Sequence, residues 1–140
     1  MKFLTILVML VTSAMCAYAD LAVRSLPVCK KDTVIIANHY MYAVGFSMRY
    51  GVALWSQYIL SSSNFRKKDV DRLDGFVSDV MVPNSPTPKV YDKSGYDRGH
   101  LAPADDFDWS ELAMSESFLM TNIAPQLAGF NRGIWKKLEN

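Results

Sequence analysis

The stretch YDRGHLAPADD, Tyr96 to Asp106, decides how the rest of the chain is read. It sets an aspartate, an arginine, a glycine and a histidine in consecutive positions, then turns apolar and reaches Pro103. A solvated turn would account for Asp97 and Gly99, but not for the apolar residues directly behind them. In an extended segment residues i and i+2 share a face, so Arg98 and His100 project into one cleft and Asp97 falls on the other side. Gly99 between them permits close approach of a substrate backbone, or a φ angle that other residues resist. An imidazole ordinarily titrates near neutrality, where it can take a proton from water. His100 is therefore the candidate general base. The second histidine, His39, stands beside two tyrosines, Tyr40 and Tyr42, and reads as a packed or surface residue.

A second informative stretch is TNIAPQLAGFNRGIWKKLEN, Thr121 to Asn140. Asn131 and Glu139 are eight positions apart, which in a regular helix is about 80° around the axis and about 12 Å along it. They cannot both bind one ion directly. Asn131 could hold it through its amide oxygen, with Glu139 reaching only its waters; alternatively, Asn131 simply caps the helix. Beyond residue 19 the sequence has one cysteine, Cys29, and two histidines, too few for a closed zinc site. Any metal must then be held by oxygen, which points to magnesium, calcium or manganese. The acidic run Asp105, Asp106, Asp108 and Glu111 fails the EF-hand pattern, because Glu111 occupies the place of the turn glycine.

Residues 1–19 have the layout of a secretory signal peptide: Lys2 near the start, an apolar run from Phe3 to Val11, and Ala17-Tyr18-Ala19 as a cleavage site. The run is shorter than the roughly 18–20 residues a membrane span needs, so no membrane anchor is expected and the location is secreted or periplasmic. Residues 20–140 then form one domain with 14 basic and 14 acidic residues, and no global charge advertises nucleic-acid binding. An internal disulfide is excluded by the lone Cys29.

The pattern predicts an α+β fold with its strands mainly early. Strands are expected at Thr33–Ala37, Tyr40–Met48 and Val52–Leu60, the last two joined by a turn at Arg49-Tyr50-Gly51. Further short strands are expected at Phe76–Val82 and Phe118–Asn122, the latter broken by Pro125. Ser110 should cap a short helix running through Met114. Asn131–Glu139 should be helical, with Ile134, Trp135 and Leu138 on one face.

The two stretches together resemble the DNA/RNA non-specific endonuclease family, whose active site is a ββα-metal (His-Me finger) motif on an antiparallel sheet. The resemblance is dense from Tyr91 onward and looser back to Tyr40. It implies that His100 is the general base, Asn131 the direct magnesium ligand, Arg98 the arginine of the signature, and Glu139 the acidic residue that orients metal-bound water. It implies substrate-side roles, mainly of positioning, for Asn122 and Gln126. Arg72 is matched to an upstream phosphate-contacting arginine, with Arg66 as the competitor. The implied cofactor is magnesium, with manganese able to substitute, and the implied substrates are DNA and RNA cut without regard to sequence.

The resemblance also implies that residues 20–140 are the N-terminal portion of a longer domain. The alternative function is an inactive or truncated nuclease-like domain with at most nucleic-acid binding. On this reading the 121-residue mature chain alone is expected to show weak or no cleavage and to unfold without cooperativity.

Overall fold

Val34, Ile35 and Ile36 open β1 (Val34–Asn38), where β-branched side chains fit a pleated surface. It pairs antiparallel with β2 (Tyr42–Ser47), which pairs antiparallel with β3 (Val52–Tyr58), in the order β1-β2-β3. The computed structural model describes residues 33–64, 69–73 and 75–139. The proposed signal segment 1–19, Cys29 and Arg66 lie outside the described residues. No helix among the described residues is long and apolar enough to cross a membrane.

The turn between β2 and β3 works as the sequence suggests. Gly51 takes φ +67°, and Ser47 accepts from the Gly51 amide through its carbonyl and from the Tyr50 amide through its hydroxyl. The pattern of β2 turns out to be one of size rather than polarity. Every residue of β2 is buried. Tyr42, Val44 and Phe46 enter the main core, while Gly45 on the other face lies under the Trp55 ring, which a Cβ at this position would overlap. An irregular register between Gly45 and Phe46 leaves Leu54 without a partner in the ladder.

The core joins these side chains to Ala37, Ala53, Val82, Ala102, Phe107 and Ala113. Fully buried Phe46 and Phe107 each contribute roughly 1.5–3 kcal/mol by removal from water. A smaller cluster of Ala104, Met114 and Phe118, with Val70 and Phe76 packed against it, lies beneath the second sheet's site face.

That second sheet has two strands, β4 (Asp97–His100) and β5 (Ile123–Gln126), antiparallel with Arg98 opposite Pro125 and His100 opposite Ile123. Helix α1 (Glu111–Ser117) begins at Ser110, whose hydroxyl accepts from the Ala113 amide at 3.4 Å, and it runs beyond the expected Met114. After β5, residues 128–139 form α2: an α turn Ala128–Phe130, a wide π turn Asn131–Trp135 and an α turn Lys136–Glu139. Gly133 departs from helical angles at φ −102° and ψ −106°, which kinks the element.

Three expectations are corrected. Phe76–Val82 is not a strand. Only Val77 bridges a neighbour, Leu119, after which the Asp79 side chain takes the Met81 amide and turns the backbone. Phe118–Asn122 ends in a 3-10 turn, Met120–Asn122, and the strand comes after it. Pro125 does not break that strand. It sits within β5, at the edge of a two-stranded sheet, where a residue without an N–H is tolerated.

Candidate active site

Arg98 and His100 do share a face of β4, and the residue between their side chains is Phe76. The Arg98 guanidinium carbon lies 5.2 Å from the Phe76 ring centroid, and the His100 ring lies 5.5 Å from it. Phe118 meets the imidazole edge-on at 4.9 Å. His100 is 5% exposed, and its Nε2 is buried without a hydrogen-bond partner among the described residues. Burial, and then the nearby Arg72 charge, pull its pKa down to about 4. The expectation that this imidazole titrates near neutrality is thereby corrected. The cause is the Phe76–Phe118 enclosure, contributed by residues distant in sequence.

The opposite face of β4 is occupied by structural partners. A Cβ at Gly99 would overlap the Gln126 side chain, so the glycine is needed for that side chain to lie across the strand. The Gln126 amide oxygen is buried there without a partner among the described residues. Asp97 accepts two hydrogen bonds from Arg132, both at 2.7 Å, and one from Asn131 Nδ2 at 3.1 Å. Those bonds hold its carboxyl below the ordinary range, Arg132 first and Asn131 second. Asp97 thus ties the end of β5's partner strand to the π turn of α2. Trp135, stacked on Phe130, strengthens the same joint by donating from Nε1 to the His100 carbonyl at 3.3 Å.

Arg72 is the upstream arginine that the structure brings near His100. It pairs with Asp105 at 3.1 Å and lies 5.4 Å from the centre of the Phe118 ring. Glu139 lies near the same group. Burial raises its pKa most, the Arg72 charge opposes that rise, and Asp105 adds to it. The kink at Gly133 means that the regular-helix spacing of Asn131 and Glu139 does not apply.

Asn122 is fully buried and wholly committed to backbone. Its Oδ1 accepts from the Ala102 amide, and its Nδ2 donates to the carbonyls of Ala102 and Ser117, each at 2.9 Å. Both polar atoms of this side chain are thus spent on holding backbone. It fixes the chain two residues beyond His100. Sequence reasoning missed Phe76 and Trp135 as parts of the site, since neither carries a polar signal.

The residues present fit a hard, well-hydrated cation. Asn131 donates to Asp97 through Nδ2, which orients the amide so that its oxygen, the atom type such a cation takes, is not the one spent on Asp97. Among the described residues no group of three or more His, Cys, Asp or Glu is arranged to hold a metal ion.

Comparison with known proteins gives the same picture. The model of a family described as DNA/RNA non-specific endonuclease matches residues 20–140. A nuclease of Nostoc sp. is 37% identical over 102 residues, covering 71% of this chain and 36% of that protein. Human mitochondrial endonuclease G is 35% identical over 100 residues, covering 70% of this chain and 34% of its own length. A solved structure of an EndoG/EndoGI complex matches with a TM-score of 0.69 and 33% identity, over 74% of this chain and 44% of that one. The chain spans about a third of the length of these two curated relatives.

Proposed function

The chain belongs to the DNA/RNA non-specific endonuclease family, and from that premise we propose that it hydrolyses phosphodiester bonds of DNA and RNA without sequence preference, in a magnesium-dependent reaction. The observation that carries this reading is the joint between β4, β5 and α2. There His100 and Arg98 share one face of β4, and Asn131 is held by Asp97 of the same strand.

The geometry supports the following division of roles. His100, neutral well below neutrality because of its enclosure, accepts the proton of an attacking water once substrate opens the Phe76–Phe118 side. Arg98, partly exposed beside Phe76, balances the negative charge that gathers on the phosphate in the transition state. Arg72 is exposed near His100 and supplies a second phosphate contact once it leaves Asp105. Asn131 would hold magnesium, with manganese able to replace it, and Glu139 would orient the waters around it. When bound, the ion supplies charge neutralisation at the scissile phosphate and leaving oxygen. Asn122 and Gln126 keep β5 and the His100 segment in register. Residues 1–19 as an export signal, with a secreted or periplasmic location, belong to the same proposal.

A second reading is favoured by one observation. His100 Nε2 has no access to solvent, the arrangement of an inactive nuclease-like domain that at most binds nucleic acid. A plasmid-nicking assay with and without magnesium separates the two. Magnesium-dependent nicking that disappears in His100→Ala supports the enzyme, and its absence from the wild-type chain supports the inactive domain.

A further inference from the structure

Asp79 is 2% exposed and lies away from the site, yet it collects an unusual number of partners. Its Oδ2 accepts from the Thr121 hydroxyl at 2.6 Å and its Oδ1 from the Met81 amide at 2.8 Å. Its own amide donates to Ser85 Oγ at 2.9 Å. His39 Nε2 approaches the carboxylate at 3.0 Å, close in distance but off-axis for a hydrogen bond. Tyr42 packs on His39 and lies near this carboxylate, with Glu116 the other acidic group beside Tyr42. Burial alone would favour the neutral acid, but the closeness of His39 and the bonds from Thr121 and Met81 together hold Asp79 below its ordinary range. A buried charge of this kind is costly unless fully bonded, and it seldom adds net stability over an apolar replacement.

Its position in the chain suggests what it does instead. Residues 76–79 run beside 118–121, with the Val77 amide donating to the Phe118 carbonyl and the Met120 amide to the Val77 carbonyl. At one end of this strut Phe76 packs on the His100 ring and the Arg98 guanidinium. At the other end, Asp79 grips Thr121. The next residue, Asn122, clamps Ala102 with its side chain and accepts from the Leu101 amide at 2.9 Å. The wall against the imidazole and the backbone behind it are therefore joined by two backbone hydrogen bonds and, at the far end, by the buried side-chain bond between Asp79 and Thr121.

We propose that Asp79 and Thr121 are positioning residues for His100, holding the Phe76 wall and the Asn122 clamp in one register so that the imidazole keeps a single orientation. The proposal rests on the reading of His100 as the base, and Arg72 and Arg98 are the charged groups facing that ring.

The test uses the ring-proton resonances of His100 in the full chain, assigned by their loss in His100→Ala. Ring currents from Phe76 and Phe118 displace them, so they report the wall directly. Thr121→Val, which replaces the hydroxyl with a methyl group, is expected to move them toward the positions of a free histidine and to lower kcat about ten- to hundredfold at unchanged KM. Thr121→Ser should restore both. Wild-type resonances and kcat in folded Thr121→Val would overturn the proposal. Should Thr121→Val fail to fold, Ser85→Ala, which loosens Asp79 from its other side, decides by the same resonances: a shift toward free histidine supports the proposal and no shift overturns it. A wild-type chain without nuclease activity whose resonances still respond to Thr121→Val would keep the positioning claim and overturn the nuclease reading instead.

Discussion

His100 sits where its burial and its chemistry pull in opposite directions. A base enclosed by two phenylalanines stays neutral, and so ready to accept a proton, but it cannot reach water until the enclosure opens. His100→Ala is expected to lower nicking by about 10²–10⁴-fold while leaving the magnesium requirement in place, because the imidazole is not a proposed ligand. Wild-type-like nicking by this variant would remove His100 as the base. The same burial makes a pH prediction. The folded pKa is about 4 against 6.5 for the free side chain, so between those values the unfolded chain binds the proton that the folded chain refuses. Stability should therefore fall as pH drops from about 6.5 to about 4 and level off below, by on the order of 3 kcal/mol. Asp79 works in a different window: its depressed pKa contributes stability that is lost only as pH falls below its ordinary carboxylate value. Urea midpoints of wild type and His100→Gln, compared from pH 7 to pH 4, isolate the histidine. Parallel curves for the two proteins would show that the imidazole is not buried as described. The pairing of Arg98 with His100 was legible in the sequence, because the i, i+2 rule is local. The pKa and the commitment of Asn122 to backbone were not, because both depend on neighbours brought from elsewhere in the chain.

At the level of elements, the site depends on how closely β4 meets β5 and α2. Gly99 and Gln126 compete for the same space, so Gly99→Ala is expected to cost about 1–3 kcal/mol through overpacking. In the double variant Gly99→Ala/Gln126→Ala the loss should be less than the sum of the single losses, as chemical denaturation would show. Strict additivity would mean that the two residues do not touch. The joint to α2 makes a separate prediction. Asp97→Asn weakens the grip on Asn131 and Arg132, and Asn131→Ala removes the proposed ligand oxygen, so both should raise the magnesium concentration needed for half-maximal nicking, Asn131→Ala more steeply. A magnesium curve unchanged in Asn131→Ala would refute the ligand assignment. The early hairpin, the cap at Ser110 and the helical reading of Asn131–Glu139 were legible, since periodicity and turn chemistry are local signals. The strand at β5 was misplaced because Pro125 was read as a breaker, and its tolerance depends on lying at a sheet edge. The kink at Gly133 was equally hidden, since nothing in the helical spacing marks a π turn.

Across the whole molecule, the residues expected on one face of the last helix, Ile134, Trp135 and Leu138, are only partly covered. Trp135 packs against Phe130 and His100, but Ile134 is 55% exposed and Leu138 71%, and Leu127 and Phe130 add to the same series at intervals of three or four residues. Ile36, on the edge strand β1, and Leu54, on the edge strand β3, are exposed as well. Contiguous apolar surface of this kind and unpaired strand edges both drive association in water. The described domain should therefore self-associate as its concentration rises, with an average sedimentation coefficient that climbs rather than staying at the monomer value. Of the two features, the helix stripe is the more exposed, with Leu138 at 71% and Ile134 at 55% against Ile36 at 46% and Leu54 at 43%. Ile134→Gln/Leu138→Gln should accordingly remove most of the concentration dependence, while Ile36→Thr should remove less. A wild-type chain that sediments as a monomer up to its solubility limit would show that these side chains are covered in solution. If Ile36→Thr alone abolished association, the sheet edge rather than the helix would be the adhesive surface.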